Sequence, residues 1–106
     1  MIQRGIRGTV ASVKWAYFTA AAVHGYTVVQ DRAGGTWTAT GAFVPGLVDA
    51  YQLEQRPIFF VAPFKGGSWR WEIQTLTRLE GGRFTARLGP LTTEGLNGLA
   101  RPTPRY

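Results

Sequence analysis

Two stretches of this chain alternate apolar and polar side chains with a period of two, and pairs of glycines stand beside them. Residues 36–43 place Trp37, Ala39, Gly41 and Phe43 on one face and Thr36, Thr38 and Thr40 on the other. Residues 68–75 place Trp69, Trp71 and Ile73 against Arg70, Glu72 and Gln74. A period of two is the signature of a strand with one buried face, because successive side chains of a pleated strand point to opposite sides. Gly34-Gly35, Gly66-Gly67 and Gly81-Gly82 supply the backbone freedom that tight hairpin turns demand. The pattern predicts an all-β domain, an antiparallel meander closed or nearly closed as a small barrel.

The pairings follow from the turns. A four-residue loop at 32–35 sets Val28 against Ala39, Tyr26 against Gly41 and His24 against Phe43. A two-residue turn at Gly66-Gly67 sets Phe64 against Trp69, Ala62 against Trp71 and Phe60 against Ile73. A turn at Gly81-Gly82 sets Leu79 against Phe84 and Thr75 against Leu88. Phe84, Ala86 and Leu88 then go inward with Trp71 and Ile73, while Arg83, Thr85 and Arg87 go outward with Arg70, Glu72 and Gln74. Ile58–Ala62 is apolar at every position, which predicts a central strand covered on both sides. Residues 47–55, with Asp49 near the start and Pro57 beyond the end, read as a short helix or a connection. Residues 12–24 read as strand, one bent strand or two meeting near Lys14; a helix there, capped by Ser12, would make the fold α+β instead. Residues 1–88 form the expected β domain, and 89–106 an arm rich in glycine and proline.

At 106 residues the chain suits one domain with one modest core. It has no cysteine and one histidine, His24, so disulfides and cysteine-type metal sites are excluded and no cofactor is expected. No apolar run is long enough to span a membrane as a helix. Arg4, Arg7 and the following apolar stretch imitate a signal peptide, but Lys14 and the crowded Trp15, Tyr17 and Phe18 argue against one, so a cytoplasmic location is expected.

Catalytic chemistry is poorly supplied. A triad of Ser68, His24 and Asp31, or a carboxylate pair of Glu72 with Glu54 or Asp49, has no spacing in its favour. The glycine pairs lack the helix and Lys-Ser/Thr context of a phosphate loop. Charge is more informative: twelve Lys+Arg against six Asp+Glu leave a net charge of +6, and ten of the twelve are arginine. Arginine presents a planar fork of donors suited to phosphate. The expected partner is therefore nucleic acid, held without catalysis by Arg70, Arg83 and Arg87 on the outward sheet face. Gln74 would assist, Arg78 would extend the row, and Arg101 and Arg105 would follow from the arm. The alternative is a protein-interaction role, as an assembly component of a virion or mobile element or as an inhibitor, with a protein partner or self-association. That reading predicts an exposed apolar patch.

Overall fold

In the computed structural model, residues 5–31, 35–95 and 100–101 are described. Seven strands and one short helix follow in the order β1 (Gly5–Trp15), β2 (Phe18–Gln30), β3 (Trp37–Val48), α1 (Ala50–Glu54), β4 (Ile58–Phe64), β5 (Gly67–Arg78), β6 (Arg83–Gly95) and β7 (Ala100–Arg101). All pairings are antiparallel. Six strands close into a barrel in the ring order β1-β2-β3-β6-β5-β4, sealed where β3 meets β6 and β1 meets β4. Closure removes most of the unpaired edges that an open sheet this small would expose.

The ring consists of two three-stranded meanders, β1-β2-β3 and β4-β5-β6. The connection through α1 joins them across one barrel end. Asp49 caps α1 by accepting from the Gln52 amide at 3.2 Å, and the Gln55 backbone is already extended, so the helix ends before Pro57. Leu53 is buried against the barrel end. Residues 12–24 are strand throughout except at the Ala16-Tyr17 turn. A helix there would have directed about half of its apolar residues away from the core.

The barrel interior is aromatic. Trp71, Phe60 and Phe84 are fully buried, and Phe43 stacks on Phe84 with ring centroids 4.5 Å apart. Tyr26 meets Phe60 edge-on at 5.7 Å, and Trp37 tilts against Trp71 at 5.7 Å. Burying each such ring contributes about 1.5–3 kcal/mol from area alone. Phe84, Ala86 and Leu88 face inward with Trp71 and Ile73, as the alternation predicts.

Several registers differ from expectation. Val28 does face Ala39, but a bulge between His24 and Thr27 sets His24 against Ala42 and Val23 against Phe43. Gly25, with φ of +64°, absorbs the extra residue. The Tyr26 ring lies over Gly8 on β1 rather than over Gly41. The β4–β5 turn falls one residue earlier, at Lys65-Gly66, so Phe64 pairs with Gly67, Ala62 with Trp69, Phe60 with Trp71 and Ile58 with Ile73. Moving a two-residue turn by one position shifts partners by two, which keeps the faces. The β5–β6 connection is a three-residue 3-10 turn at Glu80–Gly82, so Thr75 pairs with Arg87 and Arg78 with Phe84. β4 is not sandwiched: Ile58, Phe60 and Ala62 point inward, and Phe59 and Val61 are half-buried on the outer surface. β6 continues through Gly95 with Leu91 and Thr93 buried, beyond the point where the sequence placed the start of an arm.

Candidate functional site

Strand pairing lines up outward residues in rows that wrap around the barrel. The ladders align Arg7, Thr27, Thr40, Thr85 and Thr77 in one transverse row across β1, β2, β3, β6 and β5. A second row runs Gly5, Val29, Thr38, Arg87 and Thr75. A third runs Val10, His24, Ala42 and Arg83. Thr27, Thr38, Thr40, Thr75 and Thr77 are exposed, as are Arg7, His24, Arg83 and Arg87; Thr85 is half-buried. Threonine suits this position twice over, since its branched Cβ favours the strand and its hydroxyl can donate or accept.

Within these three rows every charged side chain is an arginine, and the carboxylates lie around them. Asp31 sits at the β2–β3 turn, where its carboxylate accepts from the Gly35 amide at 3.1 Å and the Thr36 amide at 3.3 Å. Glu80 sits in the turn before β6. Glu72 borders the surface beyond Gln74, opposite Phe59 in the β4–β5 ladder. Among the described residues, no carboxylate pairs with Arg7, Arg83 or Arg87.

Of the residues expected to form the site, Arg83 and Arg87 stand together on it. They are four residues apart on one strand, about 13 Å by the strand rise, so Thr85 rather than a third arginine lies between them. Arg70 does not join them. It is half-buried where β5 borders β4, its guanidinium 4.0 Å above the Phe59 ring, with Nη2 donating to the Ala16 carbonyl at 3.4 Å. Its work is structural: it covers an outward phenylalanine and ties down the β1–β2 turn. Arg78 is also off the row. The bulge between Ile73 and Thr75 reverses the facing of β5, so Arg78 shares a side with Leu76 and lies 5.7 Å over the Phe43 ring at the barrel end. Gln74, at that bulge, is exposed beside Gly89 at the margin of the surface. Arg101 is placed by its backbone in β7, opposite Thr93, and Arg105 lies outside the described residues.

Sequence reasoning did not join the threonines of β3 to Arg83 and Arg87. The Thr-x-Thr-x-Thr run at 36–40 was visible, but which strands flank it depends on the closure of β3 onto β6. A shallow depression of about 290 Å³ at the edge of the surface is lined by Gly5, Ile6, Arg7, Thr27 and Val29.

A second feature occupies one end of the barrel, where β1 meets β2, α1 bridges β3 to β4, and β5 turns into β6. Tyr17, Phe18, Leu47, Tyr51 and Leu79 are exposed there, with Tyr17 at 86%. Trp15 is half-buried and stacks on Phe18 at 6.0 Å. Only Val10, among the exposed large apolar residues described, lies elsewhere.

Among the described residues, no three side chains of His, Cys, Asp or Glu gather as a metal site. No described helix is long and apolar enough to cross a membrane. The fold is a small closed antiparallel β-barrel. Neither a protein-family model, nor a curated protein, nor a solved structure matches this chain.

Proposed function

We propose that this protein is a non-enzymatic nucleic-acid-binding module whose contact surface is the outward face of β3 and β6. The observation that carries this reading is the exposed pair Arg83 and Arg87 beside Thr38, Thr40 and Thr85 on adjacent strands, on a chain of net charge +6. Exposed guanidinium groups without carboxylate partners bind phosphate at low desolvation penalty, and hydroxyls add hydrogen bonds to the same oxygens. Association is then governed by counterion release, which scales with the number of phosphates neutralised. The Arg83→Gln/Arg87→Gln double variant tests the reading. Both side chains point into solvent, so the thermal midpoint should hold, while the log–log salt slope for duplex binding should shrink by about two. No binding by wild-type protein at low salt, or an unchanged slope, overturns it.

A separate observation favours a second reading, docking to another protein in an assembly such as a virion. Five exposed large apolar side chains share one barrel end, a concentration that marks interaction surfaces. Sedimentation at high salt, where phosphate binding is screened, separates the two readings. Self-association that persists there and disappears in Tyr17→Ser/Phe18→Ser favours assembly.

A further inference from the structure

We propose that a cleft between α1 and the C-terminal end of β5 binds a small organic carboxylate with a short apolar body. The site is separate from the outward face of β3 and β6. α1 packs against β1 and β2. Between α1 and β5 lies a cleft of about 290 Å³. Three apolar residues, Ala50, Leu53 and Leu76, and three charged ones, Glu54, Arg56 and Arg78, line it. That volume stands at the small end of the range for ligand pockets, so the ligand has few atoms.

The fold places both guanidinium groups. Ile73 stands at the β5 bulge, where the ladder is interrupted, and Arg56 Nη1 donates to its carbonyl at 3.1 Å. A guanidinium has five N–H donors, so this bond fixes the group without exhausting it. Arg78 lies 5.7 Å over the Phe43 ring. A ring face engages the plane of a guanidinium, while the N–H donors point outward within that plane. The apolar part of the lining is equally fixed: Leu53 is buried and Leu76 packs against the core. Two arginines and one glutamate give the lining a charge of +1. Among the described residues, Glu54 pairs with neither arginine. A carboxylate brings one negative charge and two coplanar oxygens that match a guanidinium fork. A phosphate dianion would bring a second negative charge toward Glu54. The apolar residues beside the cations favour a carboxylate that carries a few methylenes over a bare ion.

The test is an NMR titration of the full chain at neutral pH with hexanoate, hexanamide, acetate and N-acetyl-leucine. Hexanoate should bind saturably with a Kd of about 1 mM, an ordinary affinity for so small a ligand. It should shift the methyl signals of Leu53 and Leu76 and the Nε–H of Arg78. Hexanamide lacks the charge and acetate lacks the apolar body, so each should bind about tenfold more weakly. Arg78 is exposed at the end of its strand, so Arg78→Gln should keep the fold and lose about tenfold in hexanoate affinity. Arg56→Lys keeps a charge and a donor for the Ile73 carbonyl but not the fork, and should also weaken binding. N-acetyl-leucine presents the carboxylate of a chain terminus. Tighter binding than hexanoate assigns the site to the C-terminus of a partner, and equal or weaker binding assigns it to a free acid; either result upholds the carboxylate inference. Equal affinity for hexanoate and hexanamide, no saturable shift at Leu53 and Leu76, or affinity unchanged in Arg78→Gln overturns it.

Discussion

Gly8 and Tyr26 show how one missing side chain positions another. The Tyr26 ring lies so close over Gly8 that a Cβ there would stand 2.5 Å from the hydroxyl oxygen and 2.7 Å from Cζ. The ring cannot retreat freely, because it is buried and packs edge-on against Phe60. Gly8→Ala should therefore destabilise the fold by about 1–3 kcal/mol, as overpacking does, and a urea melt reads it directly. A change below about 0.5 kcal/mol would mean that the ring moves aside at no penalty. Burial also raises the Tyr26 hydroxyl above its ordinary pKa of 10.0. The folded state then holds this proton more tightly than the unfolded state does. Its contribution to stability is complete below pH 10 and is lost as pH rises through the raised folded value. Tyr26→Phe should flatten that part of the stability–pH curve, measured against wild type between pH 9 and 11.

At the scale of elements, β5 carries both the core and the reason that the arginine row divides. Its first half presents Trp71 and Ile73 inward; the bulge after Ile73 then turns Leu76 and Arg78 to that side. Trp71 is fully buried among Phe60 and Trp37, and its indole N–H has no hydrogen-bond partner among the described residues. Truncation to alanine should lose about 3–5 kcal/mol, the range for large aromatic cavities. Trp71→Phe should lose distinctly less, because it keeps a ring and removes an unsatisfied donor. Equal losses for the two variants would show that the N–H contributes to stability. The β2–β3 turn offers a second check. Asp31 holds two backbone amides there, so Asp31→Ala should cost about 1 kcal/mol in a thermal melt without altering the barrel signal in circular dichroism.

For the whole molecule, closure sets the folding problem. β3 must find β6 about forty residues downstream, pairing Thr40 with Thr85, and β1 must find β4, pairing Val13 with Phe60. Contacts this distant along the chain order long loops before they return any stabilisation, so folding in stopped-flow should take milliseconds to seconds. Folding in microseconds would contradict a barrel closed by those ladders.

Local chemistry is enough to make the strands, their inward faces and their turns legible. A pleated strand forces alternation whatever lies beside it, so Trp37, Ala39, Trp71, Ile73, Phe84 and Leu88 are recognisable as core from spacing alone. Asp49 and Pro57 mark the ends of α1 by capping and backbone sterics, which also act within a few residues. Bulges and neighbours are decided over longer distances. The bulge after Ile73 and the kink at Gly25 arise because strands of a closed barrel must bend around a shared core, and a one-residue insertion reverses every side chain beyond it. That is why Arg78 leaves the row and His24 joins a different one. Thr38 and Thr40 stand beside Arg87 and Thr85 only because β3 closes on β6. Arg70 leaves the row because β5 pairs with β4 there, and its guanidinium covers Phe59. Spacing within the chain determined which residues face outward; only the closure of the ring decided which of them face outward together.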